Sequence, residues 1–232
     1  MKRQIKTFFV LWFMSIGCAL AQTLPTVSPT MTIEVDGQTE ETTDYSGSAP
    51  VVAHFKANAT NTTGYQAYYQ WSMYLLGKEA SPYIVRYEAD IDYTFLKAEL
   101  SYISLTATFV MGTDTIIYTT EQPFSVSVSS SKLEMPNAFS PNGDGINDVY
   151  KVKDGYQSII EFKGYIFNRW GKKVYEWSDI DGGWDGTISG SPAKEGVYFC
   201  LIKAKGADGK DYNIKKDVNL LRKYLESSTT TN

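Results

Sequence analysis

Few side chains in this sequence are suited to chemistry. The densest group of them lies in PNAFSPNGDGINDVYKV, residues 136–152. Asn142, Asp144, Asn147 and Asp148 fall within seven residues, with Gly143 and Gly145 between them. Oxygens at that spacing could hold calcium, whose sites are built from carboxylates and amide carbonyls. The glutamate that would close a full calcium loop with two oxygens is missing, so such a site would be structural and weak. The simpler expectation is a rigid turn leading into a strand. Asn and Asp side chains accept hydrogen bonds from backbone N–H groups two residues on, and the glycines permit positive φ. Calcium is then optional, and no other cofactor is expected.

Catalysis finds little to work with. His54 is the single histidine and falls in VVAHFKA, an alternating stretch that suits a packed or surface residue better than a base. Neither G-x-S-x-G nor H-E-x-x-H occurs. Asp90 and Asp92 could in principle serve glycoside hydrolysis as a carboxylate pair. Yet Glu88, Asp90 and Asp92 alternate, and residues two apart on a strand share a face, so they read as one solvated surface. No catalytic residue is assigned, and the chain is expected not to be an enzyme. Asn58-Ala59-Thr60 and Asn61-Thr62-Thr63 fit the N-glycosylation pattern, and the match is read as coincidence.

The elements that would carry these residues follow from pattern. Basic MKRQIK precedes the apolar run TFFVLWFMSIGCALA, which ends in Ala19-Leu20-Ala21. That is a secretory signal peptide, residues 1–21. At about 15 residues the run falls short of the ~20 a spanning helix needs. Cys18 raises a lipoprotein signal as the rival, but Ser15 stands where that motif usually has leucine, so simple cleavage is favoured. After cleavage only Cys200 remains, in the alternating run GVYFCLIKA, where a buried thiol is expected and neither a disulfide nor a zinc site can form.

Removing Lys2, Arg3 and Lys6 takes the formal charge from −4 to −7. Residues 22–131 carry four basic and twelve acidic side chains, residues 132–232 fifteen and fourteen. Neither half has a basic patch, which excludes a nucleic-acid partner. The asymmetry suggests two units.

Residues 22–44, rich in Thr, Pro and Ser near their start, read as a linker. VVAHFKA, YYQWSMY, YISLTATFV, TIIYTT and FSVSVSS then alternate between turn residues, as a sandwich requires. Gly112-Thr113-Asp114 forms a hairpin turn, and Ser129–Ser131 the joint between units. DVYKV, IIEFKGYIFNRW, KKVYEWS, GVYFCLIKA and YNIKKDVNLLR continue the pattern. The rings of the second half, Tyr165, Phe167, Trp170, Tyr175, Trp177, Trp184, Tyr198 and Phe199, are expected mostly to fill its core. The fold class is therefore all-β, with two immunoglobulin-like β-sandwich domains in tandem at 45–130 and 131–225, and a disordered tail at 226–232.

Two resemblances sharpen this. Val52, Phe55 and Ala57, Tyr69-Gln70-Trp71, Tyr93-Thr94-Phe95 and Tyr102-Ile103-Ser104-Leu105 make residues 45–130 similar to a divergent PKD domain, a seven-stranded immunoglobulin-like module of cell-surface proteins. The second is more specific. It rests on Pro136, Asn137, Phe139, Ser140, Pro141, Asn142, Gly143, Asp144 and Gly145 with Asn147 and Asp148 after them, then Asn168, Arg169, Trp170 and Gly171, then Val174-Tyr175-Glu176, then Trp184, Asp185 and Gly186, then Gly196 and Tyr198. These resemble, in order, the motifs of the gliding-motility-associated C-terminal domain, the type B sorting signal of the type IX secretion system in Bacteroidota.

The resemblance implies passage across the outer membrane, to its surface or beyond, and partners in the secretion machinery and a PorP/SprF-like outer-membrane protein. Leu220-Leu221-Arg222 resembles the family's closing motif. Asp114-Thr115-Ile116 resembles the O-glycosylation acceptor of exported Bacteroidota proteins, with Thr115 as its site. The expected function is then a non-enzymatic cell-surface or secreted protein whose first domain serves adhesion or protein contact. The alternatives are a small carbohydrate-binding protein using rings such as Tyr68, Tyr74 or Tyr83, and an accessory component of the secretion or gliding apparatus.

Overall fold

The computed structural model describes residues 23–35 and 37–222. The expected signal peptide and the tail at 226–232 lie outside the described residues. Among the described residues there is no helix, and the all-β class expected from alternation is what the chain adopts.

The first domain holds β1 (Thr26–Val27), β2 (Thr30–Val35), β3 (Gln38–Glu41), β4 (Asp44–Gly47), β5 (Val51–Lys56), β6 (Ala59–Thr60), β7 (Gln66–Leu75), β8 (Ile84–Arg86), β9 (Asp90–Phe95), β10 (Leu100–Met111), β11 (Asp114–Thr119) and β12 (Phe124–Val128). Ten of them form two facing sheets, one in the order β3-β2-β5-β9 and one in the order β4-β12-β10-β7-β8, with β11 also paired to β10, and β1 pairs separately with β6. Strict alternation fixes the register, because a slip by one residue would turn every apolar side chain to water. Inward go Met31, Ile33, Ala53, Phe55, Trp71, Met73, Ile103, Leu105, Ala107 and Phe109, all fully buried. Phe55 lies against Trp71 and Phe124, with ring centroids 5.6 and 6.1 Å away.

One expectation is corrected here. Residues 22–44, read as a linker, carry three whole strands, β1 to β3, and the first residue of a fourth. TMTIEV in β2 buries Met31 and Ile33 at alternate positions and pairs with β5, so the Thr and Pro content misled.

The two outer faces of this sandwich differ in chemistry. On the β2–β5–β9 side, His54 sits among Glu34, Lys56, Asp90 and Asp92. On the other, the edge strand β4 turns Asp44 outward, while the outward positions across β7, β10 and β11 include Tyr68, Gln70, Ser72 and Tyr74, then Tyr102, Ser104, Thr106 and Thr108, then Thr115, Ile117 and Thr119. None on these three strands is charged.

The second domain contains β13 (Ala138–Phe139), β14 (Tyr150–Lys151), β15 (Ile159–Phe167), β16 (Lys173–Trp177), β17 (Gly183–Trp184), β18 (Thr187–Ile188), β19 (Ser191–Pro192), β20 (Gly196–Gly206) and β21 (Asp211–Leu220). One five-stranded sheet, in the order β13-β21-β20-β15-β16, packs against the two-residue pairs β14–β17 and β18–β19 and the loops between them. At Gly164 an added Cβ would meet the Trp177 ring, so the close approach of that ring to β15 requires glycine. Cys200 is buried as expected, and burial pushes its thiol up to about 11.

The joint between the domains is hydrogen-bonded. Ser129 Oγ lies 2.8 Å from Ser158 Oγ, and Ser131 Oγ donates to Asp208 Oδ1 at 2.7 Å. Buried Ser158 also accepts from the Ala49 N–H at 3.1 Å, and the Ala98 N–H donates to Ala207 O at 3.0 Å.

Candidate functional site

The loop 140–148 folds around its own carboxylates. Asp148 Oδ1 accepts from the N–H groups of Asn142 at 2.9 Å and Gly143 at 2.7 Å, and its Oδ2 accepts from Gly145 at 2.8 Å. Gly143 and Gly145, both at φ 82°, turn those N–H groups inward. Donors from Gly143, Gly145 and Asn142 hold the Asp148 carboxyl below the ordinary carboxylate range. Asp144 Oδ1 accepts from the Ile146 N–H at 2.7 Å, and its Oδ2 from Asn142 Nδ2 at 2.8 Å. Asn147 contributes conformation, at φ 54°, and its carbonyl accepts from the Ser140 N–H.

A carboxylate offers about four lone-pair sites, and three at Asp148 already hold N–H donors. The four residues named as calcium ligands therefore fit backbone donors better than a cation. Among the described residues no group of three or more His, Cys, Asp or Glu is arranged to hold a metal.

The later motifs work the same way. Asn168 Oδ1 accepts from the N–H groups of Trp170 and Lys172, closing the β15–β16 hairpin, with Gly171 at φ 75°. Asp185 Oδ1 accepts from the Thr187 N–H and hydroxyl. Trp184, fully buried, donates from Nε1 to Thr187 O at 2.7 Å and lies between Phe139 and Tyr198 at 5.3 and 4.9 Å. Tyr198 donates its hydroxyl to Lys194 O. Gly186, at φ 77°, is so close to Pro141 that a Cβ would come within 2.9 Å of its Cγ. Motifs scattered from 136 to 198 thus meet at one end of the domain.

What fastens that end is Arg222, read in the sequence only as the last residue of the closing motif Leu220-Leu221-Arg222 and given no role in the site. Its guanidinium donates to Gly186 O at 2.8 Å, Ala193 O at 3.1 Å and Pro141 O at 3.4 Å. No local pattern could show this, since the partners lie 29 to 81 residues back in the chain.

The expectation that the rings of this half mostly fill its core holds for half of them: Trp177, Trp184 and Tyr198 are buried and Tyr175 packs against them, while Tyr165 and Phe167 stand on the outer sheet face. Trp170 is 80% exposed, with the Arg169 guanidinium 5.4 Å from its ring. It borders a groove of about 300 Å³ that includes Ile188, Pro192, Glu195 and Tyr198. Phe199 is also exposed, on the outer sheet face.

In the first domain, His54 lies on the outer face, with Nδ1 2.6 Å from Asp92 and Nε2 3.1 Å from Glu34. Those carboxylates, Asp92 first, raise its pKa. Asp90 does not join this contact. Thr115 is exposed two residues beyond the β10–β11 turn. Tyr68 and Tyr83 are exposed, but Tyr74 is buried by stacking on Tyr102, with ring centroids 6.1 Å apart.

No curated protein matches this chain. Similar solved structures include dimeric latent PorU from Porphyromonas gingivalis, at 11% identity over 88% of this chain and 21% of that one, with a TM-score of 0.28. The chicken CNTN1 FN1–FN3 domains share 8% identity over 78% of this chain and 62% of that one, TM-score 0.29. Neural ectodermal development factor IMP-L2 shares 11% over 86% and 95%, TM-score 0.20. At TM-scores below 0.5 these likenesses carry no weight. The family match does: the loop around Asp148, the Asn168 hairpin and the Trp184 cluster all fall within residues 133–217, which match the CHU_C type IX secretion signal domain.

Proposed function

We propose that this is a non-enzymatic protein carried out of the cell by the type IX pathway, with the first domain as passenger and the second as its address. The observation that carries the reading is the match of residues 133–217 to a type IX secretion signal domain. The signal domain indicates sorting by that system, export, and contact with its machinery. Beyond that coarse statement, the passenger serves adhesion or protein contact at the cell surface, after a signal peptide has taken the chain through the inner membrane. A PorP/SprF-like outer-membrane protein receives the sorting domain. Supporting a passenger role without catalysis, the first domain's one histidine is engaged by two carboxylates on an open sheet face.

Deleting residues 132–232 tests the address. The truncated passenger is expected to stay in the periplasm, read by fractionation and by protease accessibility on intact cells. Its arrival at the surface would overturn the sorting role.

A further inference from the structure

The outer face formed by β7, β10 and β11 has a composition the rest of its domain does not share. Residues 22–131 carry twelve acidic side chains, yet none stands at an outward position on these three strands. Hydroxyl and amide groups occupy the centre instead, in rows that cross the strands. Gln70 pairs with Thr106 and Thr106 with Thr119; Tyr68 pairs with Thr108 and Thr108 with Ile117. Same-face residues along a strand are about 6.7 Å apart and neighbouring strands about 4.8 Å. From Tyr68 to the Tyr74–Tyr102 stack the face therefore runs for about 20 Å.

Thr106, Thr108 and Thr119 make no side-chain hydrogen bond within the described residues, so their hydroxyls are free for a ligand. Their β-branched side chains are stiff at χ1, and little rotamer freedom is left to lose on binding. Tyr68, 52% exposed, adds a ring whose face is apolar and whose rim is polar.

We infer that this face binds a neutral polysaccharide. Sugar hydroxyls exchange water for the Thr and Gln groups, and the C–H face of one sugar unit stacks on Tyr68. Charge complementarity selects this occupant. Three strands without an outward charge, in a strongly acidic domain, offer nothing to an ionic partner and repel no neutral one; the outward carboxylate of this sheet, Asp44, lies two strands beyond Tyr102. A protein partner is a poorer fit, because protein interfaces centre on a cluster of buried Trp, Tyr or Arg anchors. Here the large exposed apolar groups, Tyr68, Ile117 and Leu100, stand apart: Thr108 separates Tyr68 from Ile117, and Leu100 lies at the far end of β10. The inference goes beyond the sorting role, and its test is made on purified protein, so either can fail without the other.

The test is affinity electrophoresis of the full mature chain through gels containing hydroxyethyl cellulose, galactomannan or alginate. Retardation is expected in at least one neutral gel and not in alginate. It should be unchanged between about 50 and about 500 mM salt, since no charge is there to be screened. Tyr68→Ala should weaken retention about fivefold or more, and Thr106→Glu should abolish it. Trp170→Ala, on the other domain, should leave it intact. Four results would each overturn the inference: no retardation in either neutral gel, retention by alginate alone, binding lost at high salt, or sensitivity to Trp170→Ala with indifference to Tyr68→Ala. A second copy of the chain as occupant would show as concentration-dependent dimers, lost in Thr106→Glu, without retardation by glycan.

Discussion

Trp71 and Trp184 are both fully buried, one in each domain, and they reach that state by different routes. Trp71 lies on a ten-residue strand whose alternation points it at a second sheet, against Phe55. Trp184 lies on a two-residue strand and is enclosed by Phe139 and Tyr198 from distant segments. The first domain is a sandwich of two full sheets. The second replaces one layer with turns held by Asp148, Asn168 and Asp185. A layer of turns is therefore as capable of closing a core as a sheet, provided each turn's N–H groups find a side-chain acceptor.

Truncating the two tryptophans gives the largest test of that contrast. Trp71→Ala and Trp184→Ala should each cost about 3–5 kcal/mol, against the ~5–15 kcal/mol that holds a domain folded. Urea melts of the full chain are expected to show a comparable loss for both. A loss below about 1 kcal/mol for Trp184→Ala would mean that the turn layer collapses around the hole and is not a packed layer at all.

The loop of Asp148 supplies a smaller test. Asp148→Ala releases three N–H groups and should lower the melting midpoint of the second domain and leave that of the first unchanged. The acid dependence has a definite sign. Because the folded Asp148 is held below the ordinary value, its contribution is present above about pH 3.9 and is lost only as pH falls through the lowered folded value. Melts in chelator and in millimolar calcium should coincide. A midpoint raised by calcium, with the rise abolished in Asp144→Ala or Asp148→Ala, would establish a metal site where the hydrogen bonds indicate a turn.

The smallest effect separates the domains by pH. His54 is the only histidine, so the second domain has none. Its folded pKa is raised by Asp92 and Glu34. The stabilisation is therefore complete below about pH 6.5 and fades as pH rises through the folded value. Between pH 6 and pH 8.5 the first domain's midpoint should decline slightly, by what a partly exposed pair contributes. His54→Gln should flatten that slope, and the second domain should show no slope from this source. An unchanged slope in His54→Gln would assign the pH dependence to other groups.

Much of the molecule was legible in the sequence. Alternation located most strands and put Cys200 inside, because side-chain direction in a strand follows a period of two. The Asp148 loop was equally legible, since each of its bonds joins residues no more than seven apart. Local hydrogen bonds of that kind are written where they act. The burial of Met31 and Ile33 was missed, because a strand among Thr and Pro declares itself only by the sheet it joins. Trp170 and Trp184 sit in equally turn-rich stretches, yet one is 80% exposed and the other fully buried. Which ring finds an opposing layer is decided by the segments that fold over it. Arg222, with partners up to 81 residues away, and Ser158, which receives the Ala49 N–H across 109 residues, belong to the same class. Their roles come from proximity that only the tertiary structure creates, and a sequence carries no local trace of a bond whose two ends meet only after folding.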